Sequence, residues 1–174
     1  MRRMEVRTTE MTTDMEQGVI RKGYVREVAG IKALLDGEVA KGAVLARTVT
    51  ELSEHLRDFH LYVDDAGIGG CCALHIDLEN LAEIRSLVVR GDLRGRGIGH
   101  RLVQACVDEA ADLGIAHVYA LTRSPGFFYR AGFRQIDKHE LPSKVFRDCV
   151  RCTMFPDCDE TAVMLDMDTG GDHA

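Results

Sequence analysis

The segment Leu87-Val88-Val89-Arg90-Gly91-Asp92-Leu93-Arg94-Gly95-Arg96-Gly97-Ile98-Gly99-His100 constrains this chain more than any other. An apolar run ends a strand, and a turn of glycine and arginine follows. Leu102, Val103, Cys106, Val107, Ala110 and Leu113 then recur at helical spacing until Gly114 stops them. A strand that enters a helix through such a turn suits a diphosphate. Glycines allow close backbone approach, the first N–H groups of the helix lack partners within it, and the helix dipole favours negative charge there. Arg90, Arg94, Arg96 and Arg101 add positive charge. Two familiar phosphate loops are excluded. No Gly-x-x-x-x-Gly-Lys-Ser/Thr string occurs, and Leu102 stands where Gly-x-Gly-x-x-Gly needs its third glycine.

The rest of the chain reads as one mixed α+β (α/β-like) unit. Strands are expected over 19–28, 59–63, 68–76, 81–89, 117–122, 133–137 and 161–166. Asp64-Asp65-Ala66-Gly67 marks a hairpin between the second and third. Helices are expected over 28–41, 50–57, 99–113, 125–131 and 141–152, the last with Pro142 in its first turn. A chain of 174 residues is enough for one domain with a real core. We place that domain at 18–168, after a mobile polar segment over 1–17 and before a frayed tail over 169–174.

A net charge of −6 argues against a nucleic-acid partner, so the arginines near residue 95 form a local patch on an acidic protein. No apolar run reaches the ~18 residues of a membrane span, and no apolar segment follows Met1-Arg2-Arg3 as a secretory signal requires. The expected location is the cytoplasm, where six cysteines are thiols or metal ligands rather than disulfides. Cys149-x-x-Cys152-x5-Cys158, with His139 upstream, has zinc-type donors, but Cys149 and Cys152 also share a helix face regardless of any metal. No metal is required in this reading, and Cys71, Cys72 and Cys106 read as core thiols.

Arg94-x-x-Gly97-x-Gly99 after a strand resembles the pyrophosphate loop of the GNAT family of acyl-CoA-dependent N-acyltransferases. The resemblance extends over residues 18–167. It includes the strand Glu83 to Val89, the long helix, the strand Val118 to Thr122, Phe127-Phe128-Tyr129-Arg130 and the Ala131-Gly132-Phe133 turn. Leu141-Pro142-Ser143-Lys144-Val145-Phe146 and Asp148-Cys149-Val150-Arg151-Cys152 are similar to the short, stand-alone N-acetylglutamate synthases. Longer members carry an amino-acid-kinase-like regulatory domain, for which this chain leaves no room, so feedback by arginine through it is not expected.

The resemblance implies the GNAT fold, a mixed and mostly antiparallel sheet flanked by helices, with acetyl-CoA as co-substrate. The acetyl group would pass directly to the α-amine of L-glutamate in a ternary complex, the first step of arginine biosynthesis. L-glutamine or another small amine is the alternative acceptor, and a non-catalytic acyl-CoA-binding module is the alternative class. The backbone of Arg94, Gly95, Arg96, Gly97, Ile98 and Gly99 would hold the pyrophosphate. Leu87, Val88 and Val89 would bind the pantetheine arm as an added strand would. Phe128 stands where the wider family places a tyrosine acid, as in the synthase subgroup. Glu83 is the candidate base. Arg85, on the same strand face, is the candidate carboxylate clamp, with Lys144 and Arg147 as further candidates and Arg123 as another option. Dimers are common in the family, so a homodimer is compatible with this reading.

Overall fold

The computed structural model describes residues 18–142 and 158–167. Strands β1 (Val19–Lys22), β2 (Phe59–Asp64), β3 (Gly67–Leu78), β4 (Leu81–Val89), β5 (His117–Thr122), β6 (Arg134–Gln135) and β7 (Thr161–Asp166) form one sheet in the order β1-β2-β3-β4-β5-β7-β6. Every pairing is antiparallel except β4 with β5. That parallel pair needs a crossover, and helix α3 (Ile98–Asp112) supplies it. The other helices are α1 (Val28–Val39), α2 (Val49–Glu54) and α4 (Pro125–Arg130).

The apolar stripe of α3, with Leu102, Val103 and Cys106, packs on one sheet face against Leu74, Ile84 and Val118. On the other face, Ile31 and Leu35 of α1 and Leu52 of α2 cover Leu61, Ala73 and Val88. Burying each leucine, isoleucine or valine among them stabilises the fold by about 1.5–3 kcal/mol before conformational entropy is counted. A smaller cluster around Tyr119 joins Leu81, Ile136, Leu141 and Ala162.

One irregularity shapes the centre of the sheet. Ala73 faces Arg85, but Cys71 faces Val88, so β4 carries one residue more than β3 between these pairs. Ser86 absorbs the extra residue with φ 55. This bulge reverses the in–out alternation. Arg85 and Val88 thereby occupy the same sheet face, although they differ in parity.

Several expected boundaries move. β1 stops at Lys22, and a 3-10 turn at Val25–Glu27 leads into α1. The helix expected over 50–57 ends at Glu54 and continues as a 3-10 turn at Leu56–Asp58. The strand expected over 133–137 shrinks to β6, because the chain tucks Phe133 and Ile136 into the core on either side. The helix expected over 141–152, the segment 1–17, the tail over 169–174, Lys144, Arg147, Cys149 and Cys152 lie outside the described residues, apart from Leu141 and Pro142.

Candidate active site

β4 and β5 pair only from Leu81 opposite His117 to Glu83 opposite Tyr119. Beyond that point β5 stays with β7 as far as Thr122, while β4 continues along β3 to Val89. The strands splay, and a cavity of about 1070 Å³ opens between them. Ile84 to Val89 form one wall and Leu121 to Ser124 the other. Phe127 and Phe128 from α4, the loop at Gly42 to Val44 and the glycine-rich turn complete it. Its volume is at the upper end for a ligand pocket.

The turn is shaped by backbone rather than side chains. Gly95 and Gly97 have φ of 77 and 78, and a Cβ at either would meet nothing within 4 Å. Their requirement is conformational, since a left-handed backbone disfavours any residue with a Cβ. Gly97 is the residue before α3, and its carbonyl accepts from Arg101 N at 3.1 Å. Gly99 has a steric reason: a Cβ there would lie 3.3 Å from Phe127. Ile98, Gly99 and His100 open the helix and line the cavity. Their N–H groups precede the first i–4 acceptor, and no acidic residue in that turn offsets the positive end of the dipole.

The four arginines divide by role. Arg90 is bound to Asp92 at 2.7 Å and Asp64 at 3.1 Å, away from a ligand role. Arg101 sits over the Tyr62 ring at 5.7 Å. Arg96 is exposed on the turn. Arg94 lines the cavity; its Nε donates to Val89 O at 2.9 Å and its guanidinium meets Glu38 at 2.8 Å. Glu38 also accepts from Lys41, and these two cations, Lys41 foremost, hold its carboxyl below the usual range. Across the cavity, Arg123 donates to the Gly42 carbonyl and, at 2.6 Å, to Asp159. The α1–α2 loop is thus tied down from both walls.

A polar cluster lies on the α1/α2 face of β4. Glu83 Oε2 is 3.8 Å from Arg85 Nη1, and Arg85 Nη2 is 3.9 Å from Asp58 Oδ2. The expected same-face relation of Glu83 and Arg85 therefore holds. Arg85 lines the cavity, whereas Glu83 sits at the last paired position of β4, where the splay begins. Tyr119 is fully buried beside it and donates to Asp77 at 2.7 Å. Burial, with the nearby Glu83 and Asp77 charges, pushes its phenol well above the ordinary range, so it stays protonated.

Phe128 is buried, with its ring 5.2 Å from those of Phe127 and Phe133. Tyr129 is exposed and donates to Gln135 at 3.0 Å, so it does not replace the missing tyrosine acid. Cys71, Cys72 and Cys106 are core residues as expected, and burial pushes the Cys71 thiol up to about 12. Such a thiol is a poor nucleophile at neutral pH.

The splay gathers Leu87, Val88, Val89, Arg94, Gly95, Gly97, Ile98, Gly99, Phe128 and Arg85 around one cavity. Glu83 and Arg96 are adjacent to it but not among its lining. Arg123, a further option for an acceptor carboxylate, also lines the cavity. Sequence reasoning missed Glu38, Ser86 and the loop at Gly42 to Val44. Their signal is tertiary: each reaches the site through a contact remote in sequence or through a bulge that no residue pattern announces.

The family model for the Acetyltransferase (GNAT) family matches residues 33–133. An uncharacterised N-acetyltransferase of Chlorobaculum tepidum is 35% identical over 83% of this chain and 94% of its own length. The amino-acid acetyltransferase of Mycobacterium tuberculosis is 33% identical over 76% of this chain and 78% of its own. The amino-acid acetyltransferase of Neisseria meningitidis serogroup A is 30% identical over 74% of this chain, which spans only 30% of that protein. Among solved structures, Rv2747 of M. tuberculosis, in complex with CoA, superposes with a TM-score of 0.73 at 28% identity, over 86% of this chain and 99% of that one. N-acetylglutamate synthase of Neisseria gonorrhoeae, complexed with CoA and N-acetyl-glutamate, does so with a TM-score of 0.77 at 25% identity, over 85% of this chain and 34% of that one. A splayed β4/β5 cavity capped by a glycine-rich turn, together with these matches, makes the chain a member of the GNAT acetyltransferase family.

Proposed function

We propose that this protein transfers the acetyl group of acetyl-CoA to the α-amine of L-glutamate, giving N-acetyl-L-glutamate and CoA, the first step of arginine biosynthesis. The observation that carries this reading is Arg85. It brings a guanidinium into the cavity from the strand whose unpaired edge would hold the acyl donor. The amino-acid acetyltransferases among the relatives, and the neighbour bound to CoA and N-acetyl-glutamate, support that acceptor class.

Donor binding follows from the backbone. The β4 edge facing β5 has no strand partner beyond Glu83 among the described residues, so Leu87 to Val89 present N–H and C=O groups to an extended pantetheine arm. The pyrophosphate meets the N–H groups of 94–99, with Arg94 beside them. Phe128 packs beside the thioester. Arg85 takes one acceptor carboxylate as a paired hydrogen bond. Lys144 and Arg147 are candidates for the other.

The neutral amine then attacks the thioester carbonyl. A C–N bond forms, the C–S bond breaks and the thiolate leaves. Glu83, through a water at the head of the splay, takes the proton that the amine loses. The CoA thiolate leaves without a tyrosine acid, which a thiol pKa of about 8.5 permits.

Release of CoA thiol from acetyl-CoA, measured against glutamate, glutamine, aspartate, ornithine and lysine, tests the reading. Glutamate should give the highest kcat/KM. Faster turnover of glutamine would reassign the acceptor. Tight acetyl-CoA binding without turnover of any of the five would defeat the proposal.

A further inference from the structure

Below the cavity, on the α1/α2 face, two imidazoles and a carboxylate converge from separate elements. His55 follows α2, Asp58 closes the 3-10 turn Leu56–Asp58, and His75 lies within β3. His75 Nδ1 is 2.7 Å and His55 Nδ1 3.6 Å from Asp58 Oδ2. One donor atom from each residue lies within 4.8 Å of the other two. The two rings meet edge to face, with centroids 5.1 Å apart. We propose that His55, Asp58 and His75 form a binding site for a divalent transition-metal ion of the zinc class.

The geometry needs little change. Zinc ligands at about 2.0–2.2 Å are spaced about 3–3.5 Å from one another in tetrahedral or octahedral arrangements. The separations to Asp58, 2.7 Å and 3.6 Å, bracket that range, so the three donors are already close to ligand spacing. Three protein ligands leave at least one position for water. Two imidazoles with one carboxylate favour zinc, cobalt, nickel or copper over magnesium and calcium, which prefer all-oxygen shells. The surrounding charge is also suitable. Asp58 and Glu83 carry two negative charges, and Arg85 lies between them at 3.9 Å and 3.8 Å with one positive charge. With neutral imidazoles the group is one charge negative, so a dication has an attractive site despite the guanidinium. His55 is 41% exposed, against 19% for His75, which gives the ion a route from solvent. The three ligands include no cysteine, and the site does not depend on the acetyl-transfer reading.

The test is calorimetric titration of the untagged protein with zinc chloride, alongside cobalt titration read by visible absorption. The expected result is one ion per chain, a cobalt spectrum of nitrogen and oxygen ligation, and a rise in Tm with zinc. His55→Gln and His75→Gln should each weaken binding at least tenfold, since even outer-shell changes cost about 10- to 100-fold. His55→Gln is the more secure variant because its side chain is the more exposed of the two. Circular dichroism of both variants checks folding. Zinc affinity unchanged in His55→Gln, a cobalt–thiolate charge-transfer band, or no saturable binding would overturn the proposal.

Discussion

Arg94 and Glu38 form a 2.8 Å ion pair across the cavity, joining the glycine-rich turn to the end of α1. A donor pyrophosphate would compete with Glu38 for the same guanidinium. Glu38→Gln should therefore free Arg94 and tighten acetyl-CoA binding. Arg94 is 51% exposed, so the gain is modest. Exposed pairs are worth about 0.2–1 kcal/mol, which is up to about fivefold in affinity. Calorimetry at low and high salt measures it, and the gain should shrink as salt screens the phosphates. Weaker binding in Glu38→Gln would show that the pair positions the turn rather than competing with the ligand.

Gly99 and Phe127 make a second close relationship, with 3.3 Å between the aromatic ring and the place a Cβ would occupy. Gly99→Ala should lower Tm by a few degrees, as a 1 kcal/mol loss does in a domain of this size. Phe127→Leu should recover part of that loss in the double variant, because the two sites are in contact and need not be additive. Thermal denaturation of the four proteins measures the coupling. Gly97→Val behaves differently. Its cost is backbone strain at φ 78, about 1–2 kcal/mol, so Phe127→Leu should not relieve it, and acetyl-CoA affinity should fall.

The parts of this fold legible in the sequence are those written in local period. The α3 stripe and the strand before it carry a strong signal, and the glycines between them can be read as backbone requirements. The splay could be expected only through resemblance, because no residue pattern marks where β4 and β5 cease to pair. Ser86 shows why. A serine at φ 55 has no sequence signature, yet the bulge it completes places Arg85 and Val88 on one face. Val19 to Val28 has strand character in the sequence, and on that alone β1 would run that far. The Glu27 capping box turns that segment into the entry to α1 instead. His55 and His75 are distant in sequence and meet only because the β2–β3 hairpin returns His75 beside the Asp58 turn.

Glu27 also sets a pH dependence of stability. Arg21 donates to both carboxylate oxygens, at 2.7 Å and 2.9 Å, and this pairing foremost lowers the carboxyl to about 2. The unfolded value is about 4.3. A lowered native pKa means the contribution is complete above about pH 4.3 and is lost as the pH falls towards 2. Glu27→Gln keeps the capping hydrogen bond to Tyr24 N but removes the charge. It should cost about 1 kcal/mol at neutral pH, and the difference from the parent should close as the pH approaches 2. Urea denaturation at several pH values reads this directly. A difference independent of pH would assign the effect to packing.

Arg85 is the position that best tests the proposed acceptor site. It lines the cavity, is only 13% exposed, and lies between Glu83 and Asp58. Hydrogen bonds to charged groups contribute about 1.5–3 kcal/mol, so Arg85→Gln should raise the amino-acid KM by about 10- to 150-fold. The KM for acetyl-CoA should change little, because in the proposed reading the donor would be held by backbone groups at the other end of β4. Glu83→Gln should show the complementary pattern. Its kcat should fall with little change in either KM, and the rate should recover towards alkaline pH as more of the amine enters already neutral. Steady-state kinetics with each substrate varied in turn separates these outcomes. Equal rises in both KM values for Arg85→Gln would indicate that its loss collapses the splay as a whole. A fall in kcat alone would move Arg85 from acceptor binding to the chemical step.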